Sequence, residues 1–215
     1  MNYLIVQNKQ TVLLGPMIWR QRMFQSIIND LFDDGDITQK YDIPPIAPES
    51  NYLDLGEGLE IFPVTSSNVP DHDTKYFELA GPYYTYNNNQ ASESYNVVAR
   101  SLDQSKSILN SIVTNNRYIK EQAGIKLTIQ GQEVTIDTAR GSRDIFMQTY
   151  LAMGDTETIN WKFPEAWIAV TKSDMGYIVT SGKNHIQGCF DWELEKHNEI
   201  MAATTVAELQ EIVLE

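Results

Sequence analysis

The sequence predicts an α+β fold in three parts. Residues 1–92 form an N-terminal α/β region of hairpin and helix, 93–123 a connecting helix, and 124–215 a small antiparallel sheet packed with helices. Three observations predict this. Short apolar runs flank polar turns near both ends of the chain. Apolar residues at spacings of three and four mark helices between and after them. The 215 residues are 42% hydrophobic and 21% charged, enough to bury a core and too apolar for a disordered chain.

At the start, YLIV (3–6) and TVLL (11–14) flank polar QNKQ as a hairpin, and Gly15-Pro16 ends the second run. Residues 17–32 place Met17, Met23, Phe24, Ile27, Ile28 and Leu31 at helical spacing, and DDGD stops that helix. Residues 41–70 hold five of the eight prolines, so the segment 43–70 reads as an extended connection. Within it GLEIFPV (58–64) reads as one strand, assigned to a sheet edge because of Pro63. LAGPYYTY (79–86) echoes LLGP (13–16), although two short matches do not establish a repeat.

Residues 94–122 read as one long helix, with Tyr95, Val98, Leu102, Ile108, Leu109, Ile112, Val113 and Ile119 on a broad face and Gly124 as its stop. IKLTIQGQEVTIDT (125–138) alternates cleanly as a hairpin around Gly131-Gln132. SRDIFMQTYLAMG (142–154) reads as a helix with Ser142 as N-cap and Gly154 at the stop. TINWKF and WIAVT are strands around a Pro164-Glu165 turn. A helix follows from Ser173 to about Ala203, with Met175, Ile178, Val179, Ile186, Phe190, Leu194 and His197 marking its buried face. Gly176, Gly182 and Gly188 each weaken it by about 1 kcal/mol relative to alanine. Thr205 and Glu208 form a capping box for the last helix.

The formal net charge of −13 disfavours nucleic acid and anionic membranes as partners. The single cysteine, Cys189, excludes an intrachain disulfide and a Cys-rich zinc site. The first residues lack a basic stretch and a continuous apolar run, so no signal peptide is expected. No apolar run approaches the roughly 18 residues of a membrane span. The expectation is a soluble protein made in a cytoplasm.

Signals for chemistry are absent. His185 and His197 lie twelve residues apart, roughly 18 Å along one helix at 1.5 Å per residue, too far to share a metal. DHD (71–73) has no second ligand cluster near it in sequence. NDLFDDGD (29–36) fails as a calcium loop, because Phe32 and Tyr41 fall where ligands are required. There is no G-x-S-x-G, Walker loop or H-E-x-x-H. No catalytic, cofactor-binding or metal-binding residue is assigned, no cofactor is expected, and the chain reads as a non-enzyme.

Two aromatic clusters remain. Tyr83, Tyr84 and Tyr86 in GPYYTY suit either an interface or a strand with one aromatic face inward. In TINWKFPEAWIAVT, period-two alternation puts Trp161 and Phe163 on one face. Trp167 follows the turn and packs back across the hairpin, so this cluster reads as a structural ledge.

Five segments in order resemble the C-terminal module of a family of tailed-phage proteins, the domain of unknown function 4376. They are GIKLTIQGQEVTIDT, RGSRDIF, INWKFPEAWIAVT, HIQGCFDWE and IMAATTVAELQEI, and they cover about half the chain. GPM-W near the start and LAGPYYTY are also similar to phage virion proteins of this type. The resemblance implies a structural role in or beside tail fibres and baseplates, and it carries over no catalytic residues. It implies that Arg140, Arg143, Trp161, Phe163, Trp167, Phe190 and Trp192 are packing residues. One of Arg140 and Arg143 would pair a carboxylate or cap carbonyls.

The expected function is therefore a non-enzymatic adaptor of the tail fibre or baseplate, present in several copies in the virion. Its partners would be other virion proteins, with neither nucleic acid nor membrane. Candidate interface residues are Tyr83, Tyr84, Tyr86, Pro44, Pro45 and Ile46, with the terminal helices. A receptor-binding protein for host glycans, a capsid decoration protein and an assembly factor are the alternatives.

Overall fold

The apolar run at the start of the chain becomes strand β1 (Asn2–Gln7), and Tyr3 to Val6 are all buried. A strand buried on both faces belongs inside a sheet, and β1 is flanked by a strand on each side. The computed structural model describes residues 2–8, 11–18, 24, 26, 53–56, 58–65, 67–87 and 90–214; of these, the side chains of 2, 11–18, 86, 87 and 90 are not described. The chain divides into two units, Met1–Ala99 and Arg100–Glu215. Together they give a mixed α+β architecture, as the sequence predicts.

The first unit is a six-stranded sheet. Strands β2 (Thr11–Ile18), β3 (Leu53–Gly56), β4 (Leu59–Thr65), β5 (Phe77–Asn87) and β6 (Gln90–Ala99) join β1 in the order β2-β1-β4-β6-β5, with β3 also paired to β4. Leu4, Val6, Phe62, Val64 and Ala91 pack into one core, and Tyr84 lies against them.

Three expectations change here. Residues 58–64 are not an edge strand: β4 pairs with β1 along its length and with β3 and β6 on short stretches. Pro63 is tolerated because it lies between the end of the β3 pairing at Ile61 and the start of the β6 pairing at Val64. Residues 94–99 are strand, not helix. Tyr95 and Val98 lie in β6, which pairs antiparallel with β5. Strand β2 runs through Gly15-Pro16 to Ile18, so Met17 starts no helix. Of the expected helix 17–32, Phe24 and Ser26 are helical, and residues 19–23, 25 and 27–32 lie outside the described residues.

The two Gly-Pro sequences share one structural role. From Leu14 to Met17 β2 advances three residues while β1 advances two, from Ile5 to Tyr3. From Ala80 to Tyr83 β5 advances three while β6 advances two, from Asn96 to Ser94. Each Gly-Pro sits in a bulge, where the missing N–H of proline breaks no ladder bond.

The second unit begins with α1 (Leu102–Gln122). Ser101 Oγ accepts from the Gln104 N–H at 3.2 Å, and Gln104 Oε1 accepts from the Ser101 N–H at 2.8 Å. This reciprocal cap fixes the start of the helix. Hairpin β7–β8 (Ile125–Ile129, Gln132–Ile136) follows. Its turn residues, Gln130 and Gly131, both have positive φ, so the turn falls one residue earlier than the spacing suggested. Helix α2 (Arg140–Ala152) is next, then hairpin β9–β10 (Thr158–Lys162, Trp167–Thr171), the 31-residue α3 (Lys172–Ala202) and the short α4 (Val206–Gln210). Ser142 does not cap α2, because its hydroxyl donates to Asp137 Oδ2 at 2.6 Å from inside the first turn.

The small sheet is two separate hairpins. Glu165, in the second hairpin's turn, ties them by accepting from the N–H and hydroxyl of Thr135 at 3.1 and 2.7 Å. Ile129, Val134 and Ile136 of the first hairpin, Phe163, Ile168 and Val170 of the second, and Phe146, Met153, Met175 and Ile178 form one core.

Candidate functional site

Helix α3 is long enough to serve two neighbours. Its first half covers the hairpins and α2 through Met175, Ile178 and Gly182. Its second half turns Cys189 and Ile200 inward in the part that lies along α1. Polar contacts register α1 against it: His185 Nε2 donates to the Lys120 carbonyl at 2.9 Å, and His197 Nδ1 to Asn110 Oδ1 at 3.0 Å. These two histidines are structural contacts on separate turns.

Glu121 anchors the junction of α1, α2 and α3. Its side chain is 3% exposed. Arg117 Nη1 reaches Glu121 Oε2 at 2.5 Å, Arg143 Nη2 reaches Glu121 Oε1 at 2.8 Å, and Arg117 Nε reaches Glu193 Oε2 at 3.1 Å. The Arg117 guanidinium also lies over the Phe190 ring, 4.9 Å from its centre. A buried carboxylate held by two guanidiniums is costly to break, because the remaining charges cannot rehydrate fully.

Beside this junction α2 and α3 enclose a cavity of about 490 Å³. Ile136, Phe146, Ile178, Val179 and Ile186 give it apolar walls, and Phe190 lies at one side. Arg140, Arg143, Asp144 and Lys183 bring charge to it. Gly182 is buried on its wall, and a Cβ built there would meet no atom within 4 Å. The cavity therefore owes part of its space to a glycine in mid-helix.

A second hollow of about 410 Å³ lies between α1 and α3, bordered by Val113, Phe190, Leu194 and His197. Along this side of α3, Gln187, Phe190, Leu194, His197 and Met201 follow one another at steps of three, four, three and four. All five are exposed: Phe190 at 43%, Leu194 at 59% and Met201 at 53%. Phe190, Leu194 and His197 belong to the face that helical spacing marked as buried, and the folded chain leaves them uncovered. The physical reason is that α1 packs along a different stripe of α3, the one carrying Cys189 and Ile200.

The predicted aromatic and basic residues separate. Phe163 is 3% exposed in the core, and Trp161 packs against it with its ring 5.3 Å from Phe146. Trp167 is 68% exposed and does not pack back across the hairpin. Strand alternation turns Ile168 and Val170 inward, which forces Trp167 outward, near Lys162. Trp192 is half-buried, with Lys120 Nζ 3.9 Å from its ring centre. Arg143 takes the carboxylate-pairing role, whereas Arg140 is exposed on the cavity rim. Tyr83 is 47% exposed and Tyr84 turns inward, so these two do not form one patch; the Tyr86 side chain lies outside the described residues. Pro44, Pro45 and Ile46 also lie outside them.

Sequence reasoning missed Glu121, Arg117 and Glu193. The Arg117–Glu121 spacing of four was the only local signal; Glu193 lies 76 residues from Arg117. Among the described residues no group of three or more His, Cys, Asp or Glu side chains is placed to hold a metal, and no helix is long and apolar enough to cross a membrane.

The family model "Domain of unknown function (DUF4376)" matches residues 104–213. This span nearly coincides with the second structural unit and includes α1 from its third residue onward, which the five sequence segments did not. No curated protein and no solved structure matches the chain.

Proposed function

From the premise that the chain belongs to the DUF4376 family, we propose that it is a non-enzymatic structural component of a tailed-phage particle. It acts as an adaptor at the tail fibre or baseplate, in several copies, by binding other virion proteins. The observation that carries this reading is the uncovered stripe of α3. Phe190, Leu194 and Met201 repeat at the spacing of a helix–helix seam and span about 16 Å at 1.5 Å rise per residue. A soluble chain of net charge −13 gains nothing from exposing such a stripe alone. Packed against a helix of a neighbouring protein, it supplies apolar contact while the acidic remainder of the surface stays in water.

The similarity of the C-terminal segments to tailed-phage proteins supports the setting. The cavity, with cations, carboxylates and apolar walls, is suited to holding a group. The test is quantitative mass spectrometry of purified particles from the phage encoding this chain. The adaptor reading expects the protein at a fixed copy number per particle. Its absence from mature particles, with abundance in the infected cell, would identify an assembly factor instead.

A further inference from the structure

We infer that the cavity between α2 and α3 is a binding site for a small monoanionic amphipathic acid, a carboxylate on an apolar body. This role is independent of the assembly function, because it needs no partner protein.

The first ground is the distribution of cations. Among the described residues of Arg100–Glu215, the side chains of Arg140 and Lys183 make no hydrogen bond, ion pair or ring contact. Every other lysine and arginine there makes one of these or another electrostatic interaction. Both unengaged cations line the same cavity. In a chain this acidic, two cations left without carboxylates at one opening are a feature of that opening.

The second ground is the state of the carboxylates beside them. Asp137 is engaged, accepting from the Ala139 N–H at 2.9 Å and from the Ser142 hydroxyl at 2.6 Å. The Asp144 side chain makes no hydrogen bond or ion pair among the described residues and stands on the same lining. Asp137 keeps its charge, because both of its bonds come from neutral donors, but its two oxygens are occupied locally, which leaves Arg140 and Lys183 open to the carboxylate of a ligand. A planar carboxylate suits the guanidinium fork of Arg140, with the Lys183 ammonium as a second point of attraction.

The third ground is the interior. The volume of about 490 Å³ falls in the range of small-molecule sites, about 300–1,000 Å³. Phe146, Ile178, Val179 and Ile186 offer an apolar surface, and Gly182 keeps the wall open. Apolar walls beneath a charged rim select a molecule that is itself divided in the same way.

The test is a chemical-shift titration of the isotope-labelled full chain with octanoate, octanol and octylammonium. Octanoate is expected to bind saturably, shifting the amides of Arg140, Gly182 and Lys183, and more tightly than the other two. The double variant Arg140→Gln/Lys183→Gln, altered only at exposed positions, should weaken octanoate about tenfold or more and leave octanol unchanged. Asp144→Asn should tighten octanoate, and Gly182→Leu should block octanoate and octanol alike. Octanoate binding no tighter than octanol or octylammonium, or unchanged in the double variant, overturns the inference. So do shifts confined to other parts of the chain. None of these results bears on the presence of the protein in particles, so the two proposals fail separately.

Discussion

Arg143 Nη2 donates to Glu121 Oε1 at 2.8 Å, joining the first turns of α2 to the last turn of α1. Arg117 holds the other oxygen of the same carboxylate and reaches Glu193 on α3. Three helices are therefore joined by one charged network, with Glu121 at its centre and α3 attached to it through Arg117. Glu121→Ala leaves two guanidiniums without it, and a loss of about 3–5 kcal/mol in urea denaturation is expected. A loss below about 1 kcal/mol would mean the network rests on solvent-screened contacts only.

The start of α3 carries a pH dependence. Burial pushes the Asp174 carboxyl upward, but hydrogen bonds from the Thr171 hydroxyl and N–H and from Gln130 outweigh it and hold it below the usual aspartate range. Asp137 is likewise held low, by the Ser142 hydroxyl and the Ala139 N–H. A carboxyl depressed in the folded state binds fewer protons there than in the unfolded chain. Its stabilisation is complete above the unfolded value, about 3.9, and is lost as pH falls through the folded value. Tm measured across this window should fall for the wild type, and Asp174→Asn should flatten part of the fall. Parallel curves for the two proteins would contradict the assignment.

The aromatic cluster of the second hairpin separates by burial. Phe163→Ala opens a cavity in the core and is expected to cost about 3–5 kcal/mol. Trp167→Ala removes a ring that is 68% exposed and should change stability by no more than about 0.5 kcal/mol. Denaturation of the two variants side by side checks this, and equal losses would place both rings in the core.

The second unit was more legible in the sequence than the first, for a physical reason. Its hairpins and helices are set by local signals: alternation in 125–136, the turn glycine Gly131, and the cap at Thr205; the cap at Thr171 was equally local but was not read. The reading failed where a distant partner decides. Residues 94–99 have apolar side chains at helical spacing, yet their pairing with β5 makes them strand. The Ser101–Gln104 box, four residues of plain sequence, marked the true start of α1. Pro63 suggested an edge, but its place between two short partner strands depends on contacts made elsewhere in the sheet. The face of α3 was read too wide, because spacing identifies an apolar stripe without saying whether this chain covers it. Of the cavity, only Arg140 and Arg143 were named in advance as a pair, and their roles divide in the fold between the open rim and the buried carboxylate.

The central claim is that the uncovered stripe of α3 seats this protein on its neighbours in a particle. It is tested most directly by the variant Leu194→Glu/Met201→Glu, which alters two exposed side chains and no core contact. The measurement is its abundance relative to wild type in purified particles, by quantitative mass spectrometry after production of both proteins in one infected cell. Depletion of the folded variant by about tenfold or more, equivalent to about 1.4 kcal/mol of lost binding, is the predicted result. Incorporation at the wild-type level would contradict the account.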